Sequence, residues 1–130
     1  MKKLFYLLVV ILIFSCSSPS SDDNNSSNFN PPSWIQGTWK DNASFGFKFT
    51  SNNVCQLIST NQNCFKEMID YYNASIPNSA TVEEETISET EYEFSYTVSG
   101  VTQYFHFIKL SNTSIEYNQP SGINPIYVKQ

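Results

Sequence analysis

A mainly β fold, a small antiparallel barrel or curled meander sheet of seven to eight strands with one short helix, is what the 130-residue sequence predicts. Three observations carry it. Short stretches alternate apolar and polar residues with period two, the pattern of strands buried on one face. A Ser99-Gly100 pair separates the two clearest of them, as a two-residue hairpin loop requires. Only one run, Phe65, Met68, Ile69 and Tyr72, repeats at helical spacing instead.

Residues 34–40 open the fold as a first strand. In 44–50, Phe45, Phe47 and Phe49 share one face while Gly46, Lys48 and Thr50 take the other. A third strand covers 54–60. The helix follows, with Asn61 or Asn63 as its cap and Asn73 and Pro77 as its end. Residues 81–88 return to strand. In 92–98, Tyr92, Phe94, Tyr96 and Val98 point one way and Glu93, Ser95 and Thr97 the other. Its partner is 101–110, and Ser114–Tyr117 and Ile126–Lys129 close the set.

The hairpin fixes its own register. A two-residue loop at Ser99-Gly100 sets Val98 against Val101, Tyr96 against Gln103, Phe94 against Phe105 and Tyr92 against Phe107. Glu93 then faces His106 and Glu91 faces Ile108 on the other side. A slip of one residue would put Phe105 and Phe107 among glutamates, so the pattern holds the register.

Before the fold lie two segments of different character. Residues 1–15 start Met-Lys-Lys and continue as eleven apolar residues, 4–14. That is too short to cross about 30 Å of hydrocarbon as a helix and suits a secretory signal. It ends Ile13-Phe14-Ser15-Cys16, which resembles the lipobox of bacterial lipoproteins. The resemblance implies that Cys16 is lipidated, becomes the mature N-terminus and anchors the chain in the outer membrane, facing the periplasm or the exterior. Two or more acyl chains give a durable anchor where one does not. Residues 16–33, after Cys16 almost wholly Ser, Asn, Asp and Pro, read as a flexible tether. Asp22-Asp23 either keeps that tether soluble or resembles a signal for display on the outer surface. Residues 34–130 are then one domain of 97 residues, too few for a separate cofactor domain.

Charge narrows the function. From Cys16 onward there are five Lys, no Arg and twelve Asp or Glu, a net of −7. Nucleic-acid binding needs basic side chains to displace condensed counterions, so nucleic acid is not an expected partner.

Gly37-x-Trp39 on the opening strand is similar to the Gly-x-Trp signature of lipocalins and small bacterial lipocalin-like domains. The stretch 107–117 resembles their late strand–turn–strand. What the resemblance implies is a small barrel with Trp39 packed across its bottom and an interior for a small apolar ligand. Sixteen of the 97 domain residues are aromatic, so that interior is either a ligand cavity or filled outright. The candidate ligand-binding residues are the aromatics expected near an open end: Trp34, Tyr92, Tyr96 and Tyr104. The expected function is non-catalytic binding of a small apolar molecule or a glycan by an anchored envelope protein. The other reading is a protein inhibitor or accessory subunit of an outer-membrane assembly, working through loops 75–80 or 119–125.

Side chains able to do chemistry are few. Cys55 and Cys64 read first as a disulfide, which would stabilise the fold by roughly 2.5–3 kcal/mol, with zinc or a reactive thiol as rivals. His106 faces Glu93, but no nucleophile motif accompanies the pair, and no catalytic residue is assigned. Glu83-Glu84-Glu85 could hold Ca²⁺, yet strand residues alternate faces, and charged edges also resist aggregation. No cofactor or metal is expected. One test follows for the anchor: Cys16→Ala should move the protein from the membrane fraction to the soluble one, and retention with membranes would refute lipidation.

Overall fold

The computed structural model describes residues 27–130; residues 1–15 and Cys16, the expected lipidation site, lie outside the described residues. Nine antiparallel strands and one helix follow in chain order. They are β1 (Gly37–Lys40), β2 (Phe45–Phe49), β3 (Val54–Ile58), β4 (Asn61–Cys64), α1 (Phe65–Ser75), β5 (Ala80–Ile87), β6 (Glu91–Val98), β7 (Val101–Lys109), β8 (Ser114–Tyr117) and β9 (Ile126–Lys129). The sheet order is β4-β3-β2-β1-β9-β8-β7-β6-β5. Two meanders are thus joined where β1 meets β9, with Trp39 opposite Lys129. The sheet curls into a half-barrel that fits the lipocalin-like meander expected. Its two edges, β4 and β5, do not pair, and α1 is the segment that runs between them.

The β6–β7 register is the expected one at every position from Glu91–Ile108 to Val98–Val101. Both turn residues have positive φ, Ser99 at 50° and Gly100 at 79°, as a type I′ hairpin needs. Phe47, Phe49, Phe94, Phe105 and Phe107 all point into the concave side and are buried. Phe45, expected with them, is 45% exposed at the start of β2, where its partner at the end of β3, Ile58, is 44% exposed as well.

Three expectations give way. First, residues 61–64 form β4 rather than a helix cap. Ser59 adopts a φ of 57° and turns the chain back so that Cys64 lies opposite Cys55 on β3, where the two sulfurs sit at disulfide distance. Cys64 then occupies the N-cap position of α1 without a capping side chain. The cap comes from a distant residue: buried Asn53 accepts the Lys66 N–H at Oδ1 (3.1 Å) and donates from Nδ2 to Glu67 (2.7 Å). Second, the first strand begins at Gly37, because residues 32–36 form a turn with Ile35 N–H donating to Pro32 O (3.1 Å). Third, the expected tether through residue 33 includes part of the packed body. Phe29 is fully buried, with its ring 5.2 Å from Phe94 and 6.3 Å from Phe65. A lone apolar residue in a polar stretch is enough to be drawn into an aromatic core.

Trp39 of the Gly-x-Trp pair is fully buried, and its indole N–H donates to Ile35 O (2.6 Å). Lys129 lies over the ring, 5.0 Å from its centroid. Gly37 has a φ of 127°, a conformation that L side chains resist. The tighter constraint is Gly46 on the neighbouring strand. A Cβ there would lie 1.9 Å from the Trp39 carbonyl oxygen, a backbone atom that cannot swing aside. Gly46→Ala should therefore cost about 3 kcal/mol or more in urea unfolding, since β1 must move. Gly100→Ala meets no atom within 4 Å, so its cost should be only backbone strain, about 1–2 kcal/mol. Equal losses for the two variants would contradict the close approach at Gly46.

Candidate functional site

The four aromatic residues expected to line a site do not come together. Tyr92 and Tyr96 lie on the concave face of β6, whereas Tyr104 lies on the opposite face of β7, opposite Ser95. Trp34 sits in the turn before β1, where its indole N–H donates to Ser88 O (2.7 Å) and Lys109 stands 5.9 Å over its ring.

Tyr92 belongs to the core. It is fully buried, and its hydroxyl donates to Glu84 Oε1 (2.7 Å). The same carboxylate accepts the Asn30 backbone N–H (2.6 Å) and its side-chain Nδ2 (2.8 Å). Glu84 therefore ties three segments together: β5, β6 and the stretch that carries Phe29. This use separates Glu84 from its neighbours Glu83 and Glu85, which are exposed. Among the described residues, no three His, Cys, Asp or Glu side chains gather as a metal site would require. Tyr96 is half-buried, with its ring 5.0 Å from Phe65 and 5.8 Å from Phe105. These contacts make the concave side a packed aromatic layer: Phe94 to Phe105 is 4.9 Å, Phe47 to Phe107 4.9 Å and Phe49 to Phe107 5.0 Å between ring centroids.

His106 has a different partner from the one expected. Register places Glu93 opposite it, but the Glu93 carboxylate accepts the Thr86 hydroxyl (3.2 Å). Glu91, one turn of the pleat away on the same face, meets His106 Nε2 at 3.2 Å. Asn118 Nδ2 lies 3.2 Å from Nδ1. Both ring nitrogens are thus committed, and neither meets a hydroxyl nucleophile. The imidazole acts as a brace between β6 and the segment after β8.

That segment lines two surface clefts. Residues 118–125 leave β8 and run beside β7, with Asn118 N–H donating to His106 O (2.8 Å). A cleft of about 200 Å³ lies between Glu93, Tyr104 and His106 on one side and Asn118, Gln119 and Pro120 on the other. A second, of about 380 Å³, shares Tyr104, Gln119 and Pro120 and extends to Gln56 and Gln103. Of the four residues expected, only Tyr104 lines these clefts; it is 59% exposed. A third cleft, about 440 Å³, lies elsewhere on the sheet around Lys40, Lys48 and Gln62. Gln56 on β3 and Asn118 after β8 escape a reading of the sequence because only the folded sheet brings them to Gln103 and Tyr104 on β7. The loop 119–125 was visible as a proline-bearing connection, though not the strand it lies against.

No family model, curated protein or solved structure matches the chain.

Burial first, and then the Glu84 carboxylate, push the Tyr92 phenol far above its ordinary value of 10.0. Burial also raises Tyr96, Tyr117 and Tyr127. A raised value in the folded state means that the unfolded chain loses these protons first as pH climbs. The stability they contribute is then complete below pH 10 and falls above it. Chemical denaturation across the alkaline range should show that fall. Tyr92→Phe should make it shallower, and an unchanged slope would contradict the buried Tyr92–Glu84 bond.

Proposed function

We propose that the chain is a lipid-anchored envelope protein whose half-barrel binds its target without catalysis, at the rim of the sheet beside β7 and outside the packed aromatic core. The observation that supports this reading most is the contrast between the packed interior and the open rim of the fold. The concave side, where a lipocalin-like domain would hold a ligand, is occupied by the protein's own rings. The two clefts that meet at Tyr104, Gln119 and Pro120 are open to solvent: the smaller lies on the outer face with Glu93 and His106, and the larger crosses the rim to Gln103, Gln56 and Tyr117, whose register partners are Tyr96, Phe47 and Phe107. The target is a small molecule or a glycan. A partner protein of the envelope is the second reading, favoured by Ile123, which stands 73% exposed on the same loop.

The anchor belongs to the same proposal. Eleven Cα steps separate Cys16 from Ser27, where the described body begins, a reach of at most about 40 Å. Binding then takes place close to the membrane surface.

Thermal unfolding of the full-length protein with saccharide and lipid fractions of the envelope tests this. A ligand that binds only the folded state raises the melting temperature with its concentration. One fraction should do so, and Tyr104→Ala or Gln119→Ala should remove the shift while leaving the unliganded melting temperature in place. A shift that survives both variants and disappears in Tyr96→Ala would put the site inside the sheet and overturn the proposal.

A further inference from the structure

We infer that the cleft of about 380 Å³ beside β7 is a binding site for a neutral saccharide. The inference rests on the rim-cleft reading above and gives it a ligand class.

The position comes from a mismatch in strand length. β7 runs for nine residues, but β8 pairs only with Phe107, Ile108 and Lys109. Beyond that, Asn118 takes up the His106 carbonyl, and the sheet edge is then left without a neighbouring strand. Residues of an antiparallel strand alternate in the side to which their backbone groups point. The His106 carbonyl points to the β8 side, so the N–H and C=O of Tyr104 and Thr102 point that way too, into the cleft. A sheet edge of this kind offers donors and acceptors in a fixed row.

The side chains specify the chemistry. In a chain with twelve Asp and Glu, no carboxylate and no amine lines this cleft among the described residues. An anion would find no counter-charge in it, and neither would a cation. The lining supplies the amides of Gln56 and Gln103 and the ring of Tyr104, beside groups with protein partners of their own: the Ser121 hydroxyl donates to Gln119 Oε1 (3.2 Å), the Thr102 hydroxyl pairs with that of Thr97 (2.8 Å), and the Tyr117 ring stacks on Phe105 and Phe107. An amide both donates and accepts, which matches a sugar hydroxyl that does the same. Among the described residues the Gln56 and Gln103 amides have no protein hydrogen-bond partner, so they are available to a ligand. Tyr104 presents an exposed ring on which the C–H face of a pyranose can lie. The volume falls in the range of small-molecule sites, about 300–1,000 Å³.

Titration of the full-length protein with maltotriose, cellotriose and mannotriose, beside trigalacturonate and a neutral threonine–valine heptapeptide, tests the inference. At least one neutral trisaccharide should bind saturably at millimolar concentration or below, and trigalacturonate should not. Gln103→Ala and Tyr104→Ala should each weaken binding by about tenfold without lowering the melting temperature, whereas Tyr104→Phe, which keeps the ring, should bind nearly as the parent does. Failure of every neutral trisaccharide, equal binding of trigalacturonate, parent-like binding by the Gln103 and Tyr104 alanine variants, or binding of the heptapeptide alone would overturn it. If these titrations fail while envelope fractions still produce a Tyr104-dependent thermal shift, the saccharide assignment falls and the rim-cleft reading stands. If that shift is absent too, both fall.

Discussion

Phe47 is where the two halves of the sheet meet. Its ring, on β2, lies 4.9 Å from Phe107 and 6.1 Å from Phe105 on β7, 5.4 Å from Tyr117 on β8 and 5.7 Å from Tyr127 on β9. β2 and β7 are separated in the sheet by β1, β9 and β8, so these contacts exist only if the sheet curls until its faces oppose each other. Most of the crossings are edge-to-face, the arrangement that aromatic quadrupoles favour. The half-barrel shape follows from bringing these rings together. So does its filled interior, because the side chains that make the sheet curl are the ones that occupy the space it encloses.

A sheet curled by its core still has two edges, and each is handled differently. β4 is short, and Cys64 at its end sits against Cys55, so the edge strand is pinned to its neighbour. β5 is long, but a register shift between Glu84 and Thr86 breaks its ladder, and Glu83 and Glu85 stand exposed along it. Between the two runs α1, held at its start by Asn53 and near its end by Asn73. The Asn73 amide bonds both backbone groups of Ala80 (2.9 and 2.8 Å), as a neighbouring strand would. Phe29 fills the remaining space under the helix, and Glu84 fastens the segment that carries it.

The sequence revealed what depends on local periodicity and missed what depends on distant partners. The β6–β7 hairpin was readable because each residue's face and the loop length agree on one register. The helix was readable from Phe65 to Tyr72, since four apolar residues at helical spacing suffice. Its cap was not, because Asn53 lies twelve residues before the helix and reaches it only after β3 and β4 fold back. Phe29 was assigned to a tether because its neighbours are polar, and nothing in that stretch signals a vacancy in the core. Tyr92, Tyr96 and Tyr104 looked equivalent as tyrosines on adjacent strands. Parity separates them: in the hairpin register Tyr92 and Tyr96 share the face of Phe105 and Phe107, while Tyr104 shares that of His106.

The same parity bears on where binding can occur in so small a fold. With 97 residues, a nine-stranded sheet has strands of four to nine residues, and strands of unequal length leave steps along its rim. The step between β7 and β8 is the largest on that half of the sheet, five residues in strand length, and the loop that leaves β8 is drawn across it by Asn118. A larger barrel can keep an internal cavity because its wall residues need not touch across the middle. Here they must touch, since a domain of this size has little other apolar surface to bury. Stability and internal binding compete for the same aromatic side chains, and in this chain stability has taken them. A step in the rim carries no such conflict: Gln56, Gln103 and Tyr104 contribute little to the core, so they are free to face a ligand.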